Sequence, residues 1–197
     1  FTGDVSGTIN SNATFPAGSV LQVKESNLKD EFQASQASGF GFGTASGRED
    51  QSYAGVVDDL SLTLTTKGAN SSFFISVHLN QCSNSDMDGS NNMAGAVFYS
   101  IDSYANPLSR GNADGSRSRV TFGNWLRYAG DDWATFDMGC QIHHTSSLAK
   151  GATLSYRTVL TSAYTTPLLR INRDKTDGNT YHYYRGVSTF RVMEIAT

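Results

Sequence analysis

Two adjacent histidines, His143 and His144, are the first residues to weigh for metal or acid–base chemistry. A shared ion needs both rings on one side, and neighbouring side chains on a strand point to opposite faces. Neither Cys140 nor Gln141 completes a ligand spacing beside them. The pair therefore reads as surface or subunit-interface histidines, and His78 and His182 as lone polar residues. Residues 84–89, Asn-Ser-Asp-Met-Asp-Gly, set oxygen ligands at alternate positions ahead of a glycine, as a calcium loop does. The bidentate glutamate that closes such a loop would fall at Gly95, and no flanking helices are in prospect. A solvated turn is the first reading there, and a looser calcium site the alternative.

Asp58 with Asp59 and Asp131 with Asp132 offer paired carboxylates of the kind glycosidases use. Adjacent strand residues diverge, however, and loop pairs are solvated. There is no Gly-x-Ser-x-Gly elbow and no phosphate loop. The chain reads as non-enzymatic, with no metal and no cofactor. What remains is a set of aromatic residues in polar surroundings. Trp125, Tyr128 and Trp133 stand among Asn124, Arg127, Asp131 and Asp132, and Tyr181, Tyr183 and Tyr184 lie beside His182 and Arg185. Flat apolar rings with directional hydrogen-bonding neighbours are what a sugar site needs. The same rings also suit locking long loops onto the body or filling a subunit seam, and packing is the heavier of the two readings.

The elements that must position these residues are strands. Leu60, Leu62 and Leu64 alternate with polar residues, and so do Phe73, Ile75, Val77 and Leu79 across the turn at 67–70. This pattern predicts two half-buried strands and a hairpin. Further strands are expected at 19–25, 93–101, 119–122, 134–143, 152–161 and 168–172. In the stretch 152–161, Leu154, Tyr156, Thr158 and Leu160 share a face. Residues 35–55 read as a long loop or a weak strand pair. The last stretch, 186–197, carries Phe190, Val192, Glu194 and Ala196 on one face and Thr189, Arg191, Met193 and Ile195 on the other. Apolar groups on both faces suit a strand covered on two sides rather than one open to water. A chain that ends inside a strand suits one locked into the middle of a sheet. Eight to ten strands with no helical period predict an all-β, two-sheet antiparallel sandwich. No fixed-length repeat argues for a propeller or solenoid.

Composition agrees. The chain has 197 residues, 38% hydrophobic and 11% aromatic, enough for one large core. Nineteen glycines with three prolines fit short strands joined by turns. Only 17% of residues are charged and the net is −3, which leaves no basic field for nucleic acid or an anionic membrane. No apolar run is long enough for a membrane-spanning helix, so no membrane insertion is expected. Two cysteines, Cys82 and Cys140, are too few for a disulfide framework. They read as buried free thiols, as suits folding in a reducing cytoplasm. A start at Phe1 reads as a piece of a longer chain or a processed form.

Residues 188–196 read Ser-Thr-Phe-Arg-Val-Met-Glu-Ile-Ala, and residues 13–23 read Ala-Thr-Phe-Pro-Ala-Gly-Ser-Val-Leu-Gln-Val. Two middle segments share the pattern: Asp-Asp-Leu-Ser-Leu-Thr-Leu-Thr-Thr at 58–66 and Leu-Leu-Arg-Ile-Asn-Arg-Asp at 168–174. Together these resemble the C-terminal domains of bacteriophage tail fibres, head fibres and related virion appendages. The resemblance runs from about residue 13 to the end. It implies a jelly roll of the tumour-necrosis-factor type, a homotrimer, and a location on the virion after assembly in the host cytoplasm. It divides the chain into 1–18, an extended connector or intertwined N-terminal arm, and 19–197, the head. Other virion proteins would join through the N-terminal side. Arg110, Arg117, Arg119 and Arg127 near Asp114 would pair between subunits. The function implied is a fibre tip that adheres to a host-surface glycan or protein. A decoration, cement or fibre-capping module is the alternative, and a polysaccharide-degrading enzyme the least favoured.

Overall fold

A computed structural model describes residues 15–35, 55–84, 90–112, 119–127, 135–162, 168–173 and 185–197. Ten strands account for most of them: β1 (Val20–Leu28), β2 (Phe32–Ser35), β3 (Gly55–Thr65), β4 (Ser72–Asn84), β5 (Ser90–Tyr99), β6 (Phe122–Arg127), β7 (Phe136–Thr145), β8 (Thr153–Thr161), β9 (Leu168–Ile171) and β10 (Ser188–Ile195). A short 3-10 turn follows β5 at Ser100–Asp102, and there is no α-helix among the described residues. Every pairing is antiparallel.

The strands form two sheets. The first has the order β1-β10-β4-β7, with the short pair β2–β9 attached at the far end of β4. The second has the order β3-β8-β5-β6. Apart from β2 and β9, the chain enters the first sheet at β1, crosses to β3, returns at β4 and crosses again to β5. It then runs on to β6, returns at β7, crosses to β8 and finishes at β10. First and last strands lie side by side, and this winding is that of a jelly roll. The expected two-sheet antiparallel jelly roll is therefore the observed architecture.

Register explains the core. On the inner side of the first sheet the rows are Phe190, Val77 and Cys140; then Val192, Ile75 and Ile142; then Glu194, Phe73 and His144. Facing them are Leu64 with Leu154, Leu62 with Tyr156 and Tyr99, and Val57 with Thr158 and Val97. The β8 face predicted from alternation, Leu154, Tyr156, Thr158 and Leu160, is fully buried. Each large side chain removed from water here contributes on the order of 2 kcal/mol. Gly95 belongs to this packing: a Cβ there would collide with the Phe122 ring, which covers the glycine.

The hairpin expected between residues 60–65 and 73–79 does not form. β3 pairs with β8 in one sheet, and β4 pairs with β10, β7 and β9 in the other. The 67–70 turn carries the chain across the sandwich, so the two apolar faces meet through the core rather than sharing a sheet. A buried carboxylate holds that crossing. Glu194, fully buried on β10, accepts the Lys67 N–H at 2.8 and 3.0 Å on its two oxygens. It also accepts the Gly68 N–H at 2.9 Å and the Ser71 hydroxyl at 2.8 Å. Gln22 Nε2 on β1 donates both to Glu194 and, at 2.8 Å, to the Thr65 carbonyl.

A second polar node closes the other end. Asn172, fully buried in the left-handed region at φ 59°, donates to the Leu28 and Asp30 carbonyls at 2.8 and 3.0 Å. It accepts the Ser188 hydroxyl at 2.7 Å, and that hydroxyl in turn accepts the Asn80 N–H. The segments after β1 and β9 are thereby fastened to the start of β10. The salt bridge of Arg173 to Glu31, at 2.8 Å, lies beside it.

Candidate interaction face

The outer sides of the two sheets differ. On the second sheet, Ala96, Phe98 and Val159 point outward yet are completely buried. The described parts of the segment between β5 and β6, residues 103–112 and 119–121, fold back onto them. Tyr104 and Val120 pack on this outer cluster, and the Arg157 guanidinium lies 3.2 Å over the Tyr104 ring. Main-chain bonds hold this strap: Leu108 N–H to the Val97 carbonyl at 2.7 Å and Thr121 N–H to the Gly95 carbonyl at 3.1 Å. The Thr121 hydroxyl donates to the Leu108 carbonyl at 2.8 Å. The second sheet thus covers its own apolar exterior.

No described segment does the same for the first sheet. Its outer rows follow from the register: Val20, Ile195, Ser72 and Thr145; Val23, Met193, Phe74 and His143; Glu25, Arg191, Ser76 and Gln141; Asn27, Thr189, His78 and Gly139. The first row is apolar on β1 and β10 and the second across β1, β10 and β4, and the next two rows are polar. Val20 is 52% and Val23 51% exposed, and Met193, Ile195 and Phe74 are half-buried between them. A register shift near Leu21 puts Val20 and Val23 on the same face despite their odd spacing. In the polar half Arg191 Nε donates to Glu25 at 2.6 Å. That guanidinium, with Asn27 adding to it, holds the Glu25 carboxyl below the usual carboxylate range.

The residues singled out from sequence fall as follows. Tyr128, Trp133, Tyr181, Tyr183 and Tyr184 lie outside the described residues, as do 85–89, Asp131, Asp132, Asp114, Arg117 and His182. Trp125 was expected in a loop. Its backbone is instead in β6, paired with Asn92, because β6 extends past the 119–122 stretch. Asp58 and Asp59 are both exposed at an irregularity in β3. Arg119 donates through Nε to the Gly111 carbonyl at 2.8 Å.

The histidine pair splits as alternation requires. His143 is exposed on the outer face, whereas the half-buried His144 turns inward, its Nδ1 2.8 Å from the Tyr156 hydroxyl. Among the described residues no three His, Cys, Asp or Glu side chains converge on a metal position. Cys82 and Cys140 are free. Burial, with the charge of Asp137 behind it, pushes the Cys82 thiol far up, and burial alone pushes Cys140 up to about 12.

The open face is what residue-by-residue reading missed. Its signal was present on β10, where Met193 and Ile195 back onto Phe190 and Val192. On β1 the register shift hid it.

No family model and no curated protein matches this chain. Among solved structures, the CBM22-1 xylan-binding domain of Paenibacillus barcinonensis Xyn10C is similar at 13% identity, over 93% of this chain and 99% of that one. Its TM-score is 0.29, too loose a superposition to carry an argument, and the jelly-roll assignment rests on strand order.

Proposed function

We propose that this chain is the terminal jelly roll of a bacteriophage virion appendage, a non-catalytic subunit that trimerises through the open face of its first sheet and adheres to a host-surface glycan. The observation that carries the reading is the contrast between the two sheets among the described residues: one covers its apolar exterior with its own strap, and the other leaves Val20 and Val23 exposed and Phe74, Met193 and Ile195 half-buried beside them. A lone exposed valine needs no explanation, but adjoining apolar residues over three strands do. A closed threefold arrangement removes such a strip from water without leaving an open edge for further growth. Burying each of these side chains contributes about 1–2 kcal/mol, so the polar rows beside them must join the seam for a stable assembly.

The virion location and the glycan come from the resemblance of residues 13–23, 58–66, 168–174 and 188–196 and from the aromatic residues Trp125, Tyr128, Trp133, Tyr181, Tyr183 and Tyr184. The absence of a catalytic role is consistent with His144 being taken up by Tyr156 and with Asp58 and Asp59 standing open at a strand irregularity.

Sedimentation equilibrium at micromolar concentration tests the assembly. The expected species is a trimer, and Val23→Glu or Met193→Glu converts it to a monomer with an unchanged β-sheet circular dichroism spectrum. A wild-type monomer under those conditions rejects the trimer. Adsorption competition on susceptible cells and a glycan array test adhesion, with Trp125→Ala and Tyr183→Ala expected to weaken binding in an intact assembly. No binding, together with particles that fall apart when the domain is deleted, identifies a cement or capping module instead.

A further inference from the structure

His144 is the one inward-facing histidine among the described residues, and it spans the sandwich. It sits on β7 in the first sheet, and its partner Tyr156 sits on β8 in the second, with 2.8 Å between Nδ1 and the hydroxyl. Aromatic rings enclose it from three strands. The Tyr99 ring centre is 5.0 Å away, that of Tyr156 5.8 Å and that of Phe73 6.1 Å. The turn after β5 brings Asp102 near. One oxygen of Asp102 accepts the Asn106 N–H at 2.9 Å, and the other is buried with no partner among the described residues. The remaining charged or titratable neighbours are His143 on its own strand and, beyond Phe73, Glu194 on β10.

Tyr156 is fully buried and its hydroxyl is held strongly protonated by that burial, with Glu194 and Tyr99 adding to the effect. In the Nε2–H tautomer of neutral His144 the hydroxyl donates and Nδ1 accepts, and this is the tautomer that gives the buried Tyr156 proton a partner. Tyr156 has no other hydrogen-bond partner among the described residues.

We infer that His144 is an acid-sensitive fastener between the two sheets: a proton taken up at Nδ1 turns the acceptor into a donor, leaves the buried Tyr156 O–H without its acceptor, sets a charge among the aromatic rings and so loosens this end of the sandwich while the Cys82 end stays closed. Asp102 offsets the new charge only in part, because its placement and the nearby His143 act in opposite directions. The sign follows from burial first and His143 second, which hold His144 below its ordinary 6.5. The unfolded chain then binds more protons than the folded one, so stability is complete above about pH 6.5 and is lost as pH falls towards the folded value. Within that window one proton changes the folding constant by up to about tenfold per pH unit.

Hydrogen exchange of the full chain at pH 7.5 and 5.0, corrected for intrinsic rates, tests the inference. Acidification is expected to strip protection from 72–75, 142–145 and 154–157 while 77–82 remains protected. His144→Gln, whose amide oxygen can take the Tyr156 proton and does not titrate, is expected to keep protection at both pH values. His143→Gln, altered on the outer face, is expected to lose protection as the wild type does. Equal loss in His144→Gln, or none in the wild type, overturns the inference. If His144→Gln fails to fold, ring titration of the wild type by NMR decides. A midpoint at or above 6.5, or a titration that leaves the Tyr156 resonances unmoved, rejects the fastener.

Discussion

Removing the Glu194 carboxylate tests whether the crossing between β3 and β4 is held from β10. Four donors converge on it: the Lys67 and Gly68 N–H groups, the Ser71 hydroxyl and Gln22 Nε2. In Glu194→Ala all four lose their acceptor. Lys67 is exposed and Gln22 half-buried, so water can reach their donors, but Ser71 is buried and Gly68 is half-buried beneath Leu21. Stranding a buried donor costs about 1–3 kcal/mol, and emptying the carboxylate's place adds a small cavity. A total near 4 kcal/mol follows, which for a domain of this size is a fall of roughly 8–16 °C in Tm. Glu194→Gln keeps the shape and one acceptor but turns an NH2 towards the Lys67 and Gln22 donors. It should cost about half as much. Urea unfolding at pH 7 gives the free energies, and hydrogen exchange at the Lys67 and Gly68 amides locates the damage. A loss under about 1 kcal/mol in Glu194→Ala, or unchanged protection at those amides, would refute the reasoning.

Asn172→Ala breaks the bonds to Leu28, Asp30 and Ser188 and leaves a non-glycine residue at positive φ, so it should cost about 3 kcal/mol in denaturant unfolding. Asn172→Gly relaxes the backbone and should recover about 1 kcal/mol of that, and equal losses would show that the left-handed backbone contributes nothing. Both thiols are held protonated by burial, so the native protein should react with a disulfide reagent at pH 8 at least tenfold more slowly than the denatured chain. Prompt reaction of either cysteine would contradict that burial.

Alternation along single stretches was enough to place the buried face of β8 and the opposed directions of His143 and His144. Each depends only on the period of two that every strand imposes on its side chains. The cover expected over both faces of β10 is found among the described residues on its inner face only. The partners were not legible. Leu60, Leu62 and Leu64 alternate as Phe73, Ile75 and Val77 do, and a shared hairpin and a crossing between sheets give that same pattern, because both sheets line one core. Long-range register decides between them. Glu194 looked like a polar break in an apolar face until the 67–71 turn folded over it, and Asn172 like an ordinary loop residue until β1, β9 and β10 met around it. The open face needed two things that no local pattern contains: a bulge that realigns Val20 with Val23, and a strap that covers the outer face of the second sheet.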